Sequence, residues 1–90
     1  ISRVVNSRQG AFRACYETAA SHEPNLRGGV TISWTVQPGG SVAGSRVVSS
    51  SLNNARVEGC ILRQFARLQF PTADKPTNAT WPFIFKPGGN

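Results

Sequence analysis

From Leu26 to Gln37 the chain alternates with a period of two. Val30, Ile32, Trp34 and Val36 fall on one side, and Thr31, Ser33, Thr35 and Gln37 on the other. Such a segment is a strand with one apolar face, and that face must be covered by another layer. Pro38-Gly39-Gly40-Ser41 follows at once. It is a hairpin turn signal that returns the chain through a second strand, Val42–Ser49. There Val42 and Val48 share one parity while Val47 has the other, and a bulge near Gly44 would reconcile them.

Two helical patterns flank the hairpin. Over residues 1–21, Ile1, Val4, Val5, Phe12, Cys15, Tyr16 and Ala19 recur at three- and four-residue steps, which predicts a helix. Arg8 intrudes on its apolar arc, Gly10 weakens its middle, and Pro24 stops it. After the hairpin, Asn53 and Asn54 offer N-cap oxygens to a second helix, Ala55–Leu68. Val57, Ile61, Phe65 and Leu68 form its apolar face. Arg56, Arg63 and Arg67 cluster on the other face, within about 40° of each other at 100° per residue. Pro71 ends that segment, and Thr72–Ala79 reads as a polar loop. Thr80–Lys86 is a short third strand containing Pro82; a proline cannot donate to a ladder, so this strand belongs at an edge. Pro87-Gly88-Gly89-Asn90 reads as a frayed tail.

These elements can assemble so that every apolar face is covered. A three-stranded antiparallel sheet is covered on one face by two helices, giving a two-layer α+β domain of order α-β-β-α-β. The third strand runs beside the first, with the hairpin partner on the first strand's other side. Ninety residues make a single domain, and 39% hydrophobic with 16% charged residues suits a small core rather than a disordered tail. No stretch approaches the ~18–20 apolar residues of a membrane span. The chain opens Ile1-Ser2-Arg3, carries no leader pattern and contains no methionine, so it is expected to be a piece of a longer protein.

The net charge is +6, from ten Lys and Arg against four Asp and Glu. That balance predicts attraction to polyanions without choosing among nucleic acid, anionic lipid and acidic envelope polymers. The helix arginines could bind phosphates, but the exterior of a solvated helix is the reading preferred for that stripe alone. A basic nucleic-acid-binding domain stays as the alternative function, although no GxxG clamp and no aromatic-rich RNP strand is present. Catalysis has little to draw on: His22 is the single histidine, Asp74 the single aspartate, and no activated serine neighbours either. The chain is therefore read as not an enzyme, with no cofactor. A metal site from Cys15, Cys60 and His22 would lack a fourth ligand and any short chelating spacing. The two cysteines could form a disulfide or remain buried thiols. A disulfide is preferred over buried thiols; it could form where the flanks of the two helices touch, and its loop of roughly 45 residues would contribute ~4 kcal/mol. Asn78-Ala79-Thr80 matches a glycosylation sequon, a short pattern with little weight alone.

A series of short runs resembles one family. Cys15-Tyr16-Glu17, Pro24-Asn25-Leu26, Pro38-Gly39-Gly40-Ser41-Val42, Val48-Ser49-Ser50-Ser51-Leu52 and Val57-Glu58-Gly59-Cys60-Ile61 occur in order. Phe70-Pro71 and Trp81-Pro82-Phe83-Ile84-Phe85 complete the series. Together they look like the AgmX/PglI C-terminal domain, a relative of the TonB C-terminal domain; Trp81 departs from the pattern, which has tyrosine or another residue before the proline. The resemblance implies a TonB/TolA C-terminal-like fold. It implies a periplasmic home at the end of an inner-membrane-anchored protein, and a role in gliding motility or energy transduction. It further implies that motor-driven motion is passed to an outer-membrane or periplasmic partner by adding the partner's strand to the last strand. On this sequence that assigns partner binding to Thr80, Trp81, Phe83, Ile84 and Phe85. Self-association through the same edge is a third possibility.

Overall fold

The computed structural model describes residues 2–87 of the chain. Ile1, counted in the first apolar arc, and Gly88-Gly89-Asn90 of the expected tail lie outside the described residues. The elements in order are α1 (Ser2–Asn6), α2 (Gln9–Ala20), β1 (Gly28–Val36), β2 (Val42–Ser50), α3 (Ala55–Phe65) and β3 (Thr77–Phe85). The strands form one antiparallel sheet in the order β2-β1-β3, the expected arrangement.

The expected single N-terminal helix is two. The chain turns at Ser7-Arg8, where the Ser7 hydroxyl donates to the Val4 carbonyl at 2.6 Å and Arg8 N–H donates to Val5 O at 3.1 Å. The break has a physical reason: a continuous helix would carry Arg8 on the buried side, whereas the turn leaves it exposed while Val5 and Phe12 stay fully buried. The second predicted helix begins where expected. The Asn54 side chain accepts from Val57 N–H at 3.0 Å, so Asn54 rather than Asn53 is the cap. That helix ends at Phe65 rather than Leu68. Arg67 and Leu68 close tighter turns onto Gln64 and Phe65, which swings Leu68 into the core from outside the helix.

β2 explains its own mixed parity. Its register against β1 slips twice, once across Gly44 (φ +61°) and once at Val48. The two bulges put Val42 opposite Val36 and Val47 opposite Ile32, both packed on the core. Val48 is the extra residue and is 49% exposed. The bulge at Gly44 was legible; the second was not. β3 starts three residues before the expected position, because Asn78 pairs with Thr35 and its Oδ1 accepts from the Thr35 hydroxyl at 2.9 Å.

The core lies between the sheet and the helices. Trp34 meets Phe65 at 4.6 Å between ring centroids, Phe65 meets Phe12 at 5.2 Å, and Phe12 meets Phe83 at 4.8 Å. This chain of rings ties β1, α3, α2 and β3 into one cluster at tilted geometries favoured by aromatic quadrupoles. Tyr16 stacks on Phe85 at 5.0 Å and donates its hydroxyl to Leu26 O at 2.6 Å, fixing α2 over the end of β3. Cys15 and Cys60 form the disulfide, joining α2 to α3. Both helices lie on one face, and the other face shows Thr31, Ser33 and Thr35.

Candidate functional site: the outer flank of β3

β3 pairs with β1 through nine consecutive residue pairs without a slip, and no strand lies on its other side among the described residues. Which main-chain groups it presents there follows from β1. Gly29 O accepts from Ser51 N–H at 2.9 Å, Gly29 N–H donates to Ser51 Oγ at 2.8 Å, and Gln37 N–H donates to Ser41 O at 2.8 Å. Odd-numbered β1 residues thus turn their main chain toward β2. Because main-chain direction alternates in an antiparallel ladder, the even-numbered residues Gly28, Val30, Ile32, Trp34 and Val36 turn toward β3. Their partners are Phe85, Phe83, Trp81, Ala79 and Thr77. The intervening residues Asn78, Thr80, Pro82 and Ile84 therefore direct their main chain outward.

Pro82 sits at one of these outward positions, so its missing N–H breaks no bond to β1. The open flank carries four carbonyl acceptors but only three donors, from Asn78, Thr80 and Ile84. The side chains alternate as well. Asn78, Thr80, Pro82 and Ile84 are exposed on the open face, with Ile84 72% exposed and lying over Gly29. Ala79 and Phe83 are buried beneath the helices, and Trp81 and Phe85 pack partly against the core.

The five residues expected to meet a partner are thus divided. Thr80 and Ile84 offer both side chain and main chain to the flank. Phe83, at 4% exposure, offers neither, and the main chains of Trp81 and Phe85 are directed to β1. The division is one of parity, with Thr80 and Ile84 on the outward row and Trp81, Phe83 and Phe85 on the inward one. Asn78, outside the expected set, has the same outward parity. Pro82 held the means to find it, since residues sharing the parity of a strand proline are the ones a ladder does not need.

The second sheet edge differs. β2 also lacks an outer strand, but its two bulges interrupt the regular spacing that a guest strand needs, and Arg46 is exposed upon it. The remaining candidates lie elsewhere. Arg56 and Arg63 share the outer side of α3 with Cys60, while Arg67 falls in the turn beyond the helix and is also exposed. His22 is exposed near the end of α2, and Asp74 is exposed in the loop before β3. Among the described residues no three His, Cys, Asp or Glu side chains gather as metal ligands, and no helix is long and apolar enough to cross a membrane.

No family model matches the chain, and no curated protein matches it by sequence. Among solved structures it is similar to the TonB C-terminal domain of Helicobacter pylori (residues 179–285), determined in solution by NMR. The TM-score is 0.58 at 18% identity, over 94% of this chain and 85% of that one. The likeness shows that this chain has a TonB C-terminal-like fold.

Proposed function

We propose that this chain is a non-enzymatic protein-binding domain of the bacterial envelope, which docks an extended segment of a partner along the outer flank of β3. The carrying observation is the contrast between the sheet's two edges. Among the described residues β3 offers an unpaired flank without a register slip, lacking one donor at Pro82, whereas β2 is kinked twice. Strand addition draws affinity from main-chain bonds and selectivity from alternate side chains, here Asn78, Thr80 and Ile84. The TonB-like fold supports an envelope setting. Within that reading the domain sits in the periplasm as the C-terminal part of an inner-membrane-anchored protein. It passes the pull of a motor complex, in gliding motility or energy transduction, to an outer-membrane or periplasmic partner. The covalent link between α2 and α3 suits a domain that must resist opening under load.

The test uses the missing donor of Pro82 as its model. Thr80→Pro removes a second outward donor while leaving every bond to β1 in place. Ten-residue peptides spanning the periplasmic segments of outer-membrane proteins from the source organism are titrated into isotope-labelled protein. Binding should perturb residues 78–84, and Thr80→Pro should weaken it by about fivefold, the worth of one hydrogen bond. Perturbations confined to β2 or α3, or undiminished affinity in a folded Thr80→Pro protein, would remove the basis for β3 docking.

A further inference from the structure

Outside the sheet, the surface carries a second feature. Cys15 is bonded to Cys60, and the Glu23 carboxylate at the end of α2 accepts from the Asn54 side chain at the start of α3 at 2.9 Å, so the two helices run antiparallel. Between them lies an open groove of about 250 Å³ above the disulfide, with Arg56, Arg63, His22 and Thr18 in its walls. Among the described residues no carboxylate lines it. It continues past His22 and Arg56 into a second hollow whose wall includes Glu23, already engaged by Asn54. Glu58, the acid on α3, accepts from the Ser50 hydroxyl at 2.7 Å on the side facing β2. The nearby acids are thus occupied by neutral donors rather than by the arginines.

Arg63 folds back over Gly59. A Cβ at Gly59 would stand 3.4 Å from Arg63 Nη1, so the guanidinium lies back along α3 toward the Arg56 end. Arg56 and Arg63 stand two turns apart on one helix row, with no carboxylate in the groove wall between them among the described residues. Guanidinium groups present planar forks of donors that match phosphate oxygens.

We propose that the groove between α2 and α3 binds a phosphate group, either inorganic phosphate or the phosphate of a lipid headgroup, between Arg56 and Arg63 with His22 at its rim. The disulfide beneath holds both walls, so the site is preformed in the oxidised protein. The groove lies on the outer side of the helical layer, away from the flank of β3, and does not depend on strand docking.

Isotope-labelled oxidised protein is titrated with inorganic phosphate, with sodium chloride at matched ionic strength as the control. Saturable shifts at His22, Arg56 and Arg63 are expected, and Arg56→Gln with Arg63→Gln should weaken them about tenfold or more. Both arginines are exposed, so the double variant should fold, which its amide spectrum verifies. Shifts reproduced by chloride, or unchanged in the folded double variant, would overturn the site. Cosedimentation with phosphatidylglycerol vesicles but not phosphatidylcholine vesicles, lost in the double variant, assigns the phosphate to a headgroup. Phosphate shifts without cosedimentation assign it to the soluble ion. Arginine-dependent binding of an oligonucleotide, with neither phosphate shifts nor vesicle binding, would overturn the proposal in favour of nucleic acid.

Discussion

Gly40 shows how much of this fold is fastened by single positions. Its φ of +97° is a conformation that side-chain-bearing residues rarely adopt, and a Cβ there would run into the Phe70 carbonyl and the Gln69 side chain. The contact is close because the hairpin turn is fastened to the segment after α3. Phe70 N–H donates to Gly40 O at 2.8 Å, Gln69 Nε2 to Gly39 O at 2.8 Å, and Ala73 N–H to Pro38 O at 2.9 Å. Gly40→Ala must therefore distort the turn or push this segment away. It should cost about 2–4 kcal/mol, lowering the thermal midpoint by 10 °C or more in a domain of this size. Circular dichroism melting measures it, and a loss below a few degrees would mean that the turn is looser than its hydrogen bonds suggest. Trp34 shows the opposite economy: its indole N–H is buried with no acceptor among the described residues. Its ring contacts with Phe65 and Phe70 offset that cost.

At the scale of elements, the disulfide and the aromatic stack divide the task of holding the helices. Tyr16 over Phe85 sets α2 against β3, while Cys15–Cys60 sets α2 against α3. Closing a loop with a sequence separation of 45 residues restricts the unfolded chain far more than the folded one. Replacing both cysteines with serine should lower stability by about 2–4 kcal/mol, seen as a lower denaturant midpoint with little change in slope. A midpoint equal to that of the oxidised protein would separate the bond from stability, and with it the idea that it stiffens the domain against force. The broken N-terminal helix belongs at this scale too. The periodicity of Val5, Phe12 and Cys15 was readable, but the turn at Ser7-Arg8 was not. Only the surrounding core makes a buried arginine costlier than an interrupted helix.

For the molecule as a whole, a charge of +6 sets a long-range field, and the two arginines in the groove make a local site. The two effects separate when variants of equal net charge are compared. Arg56→Gln with Arg63→Gln should leave a heparin column at lower salt than Arg13→Gln with Arg27→Gln, whose arginines are exposed on α2 and in the loop before β1. Identical elution would show that net charge alone governs polyanion binding.

The pattern of residues by itself determined which segments fold and how they stack. Alternation at Val30–Val36 made a strand with a single buried face, the three- and four-residue steps made helices to cover it, and Pro82 sent the last strand to an edge. Those are local consequences of side-chain period and of one missing donor. The parity of Pro82 already implied which groups of β3 face outward, and the tertiary structure alone decided that pairing with β1 extends back to Thr77 and so brings Asn78 into that row. It also decided that Arg56, Arg63 and His22 share a groove, because their proximity exists only once α2 and α3 are packed antiparallel.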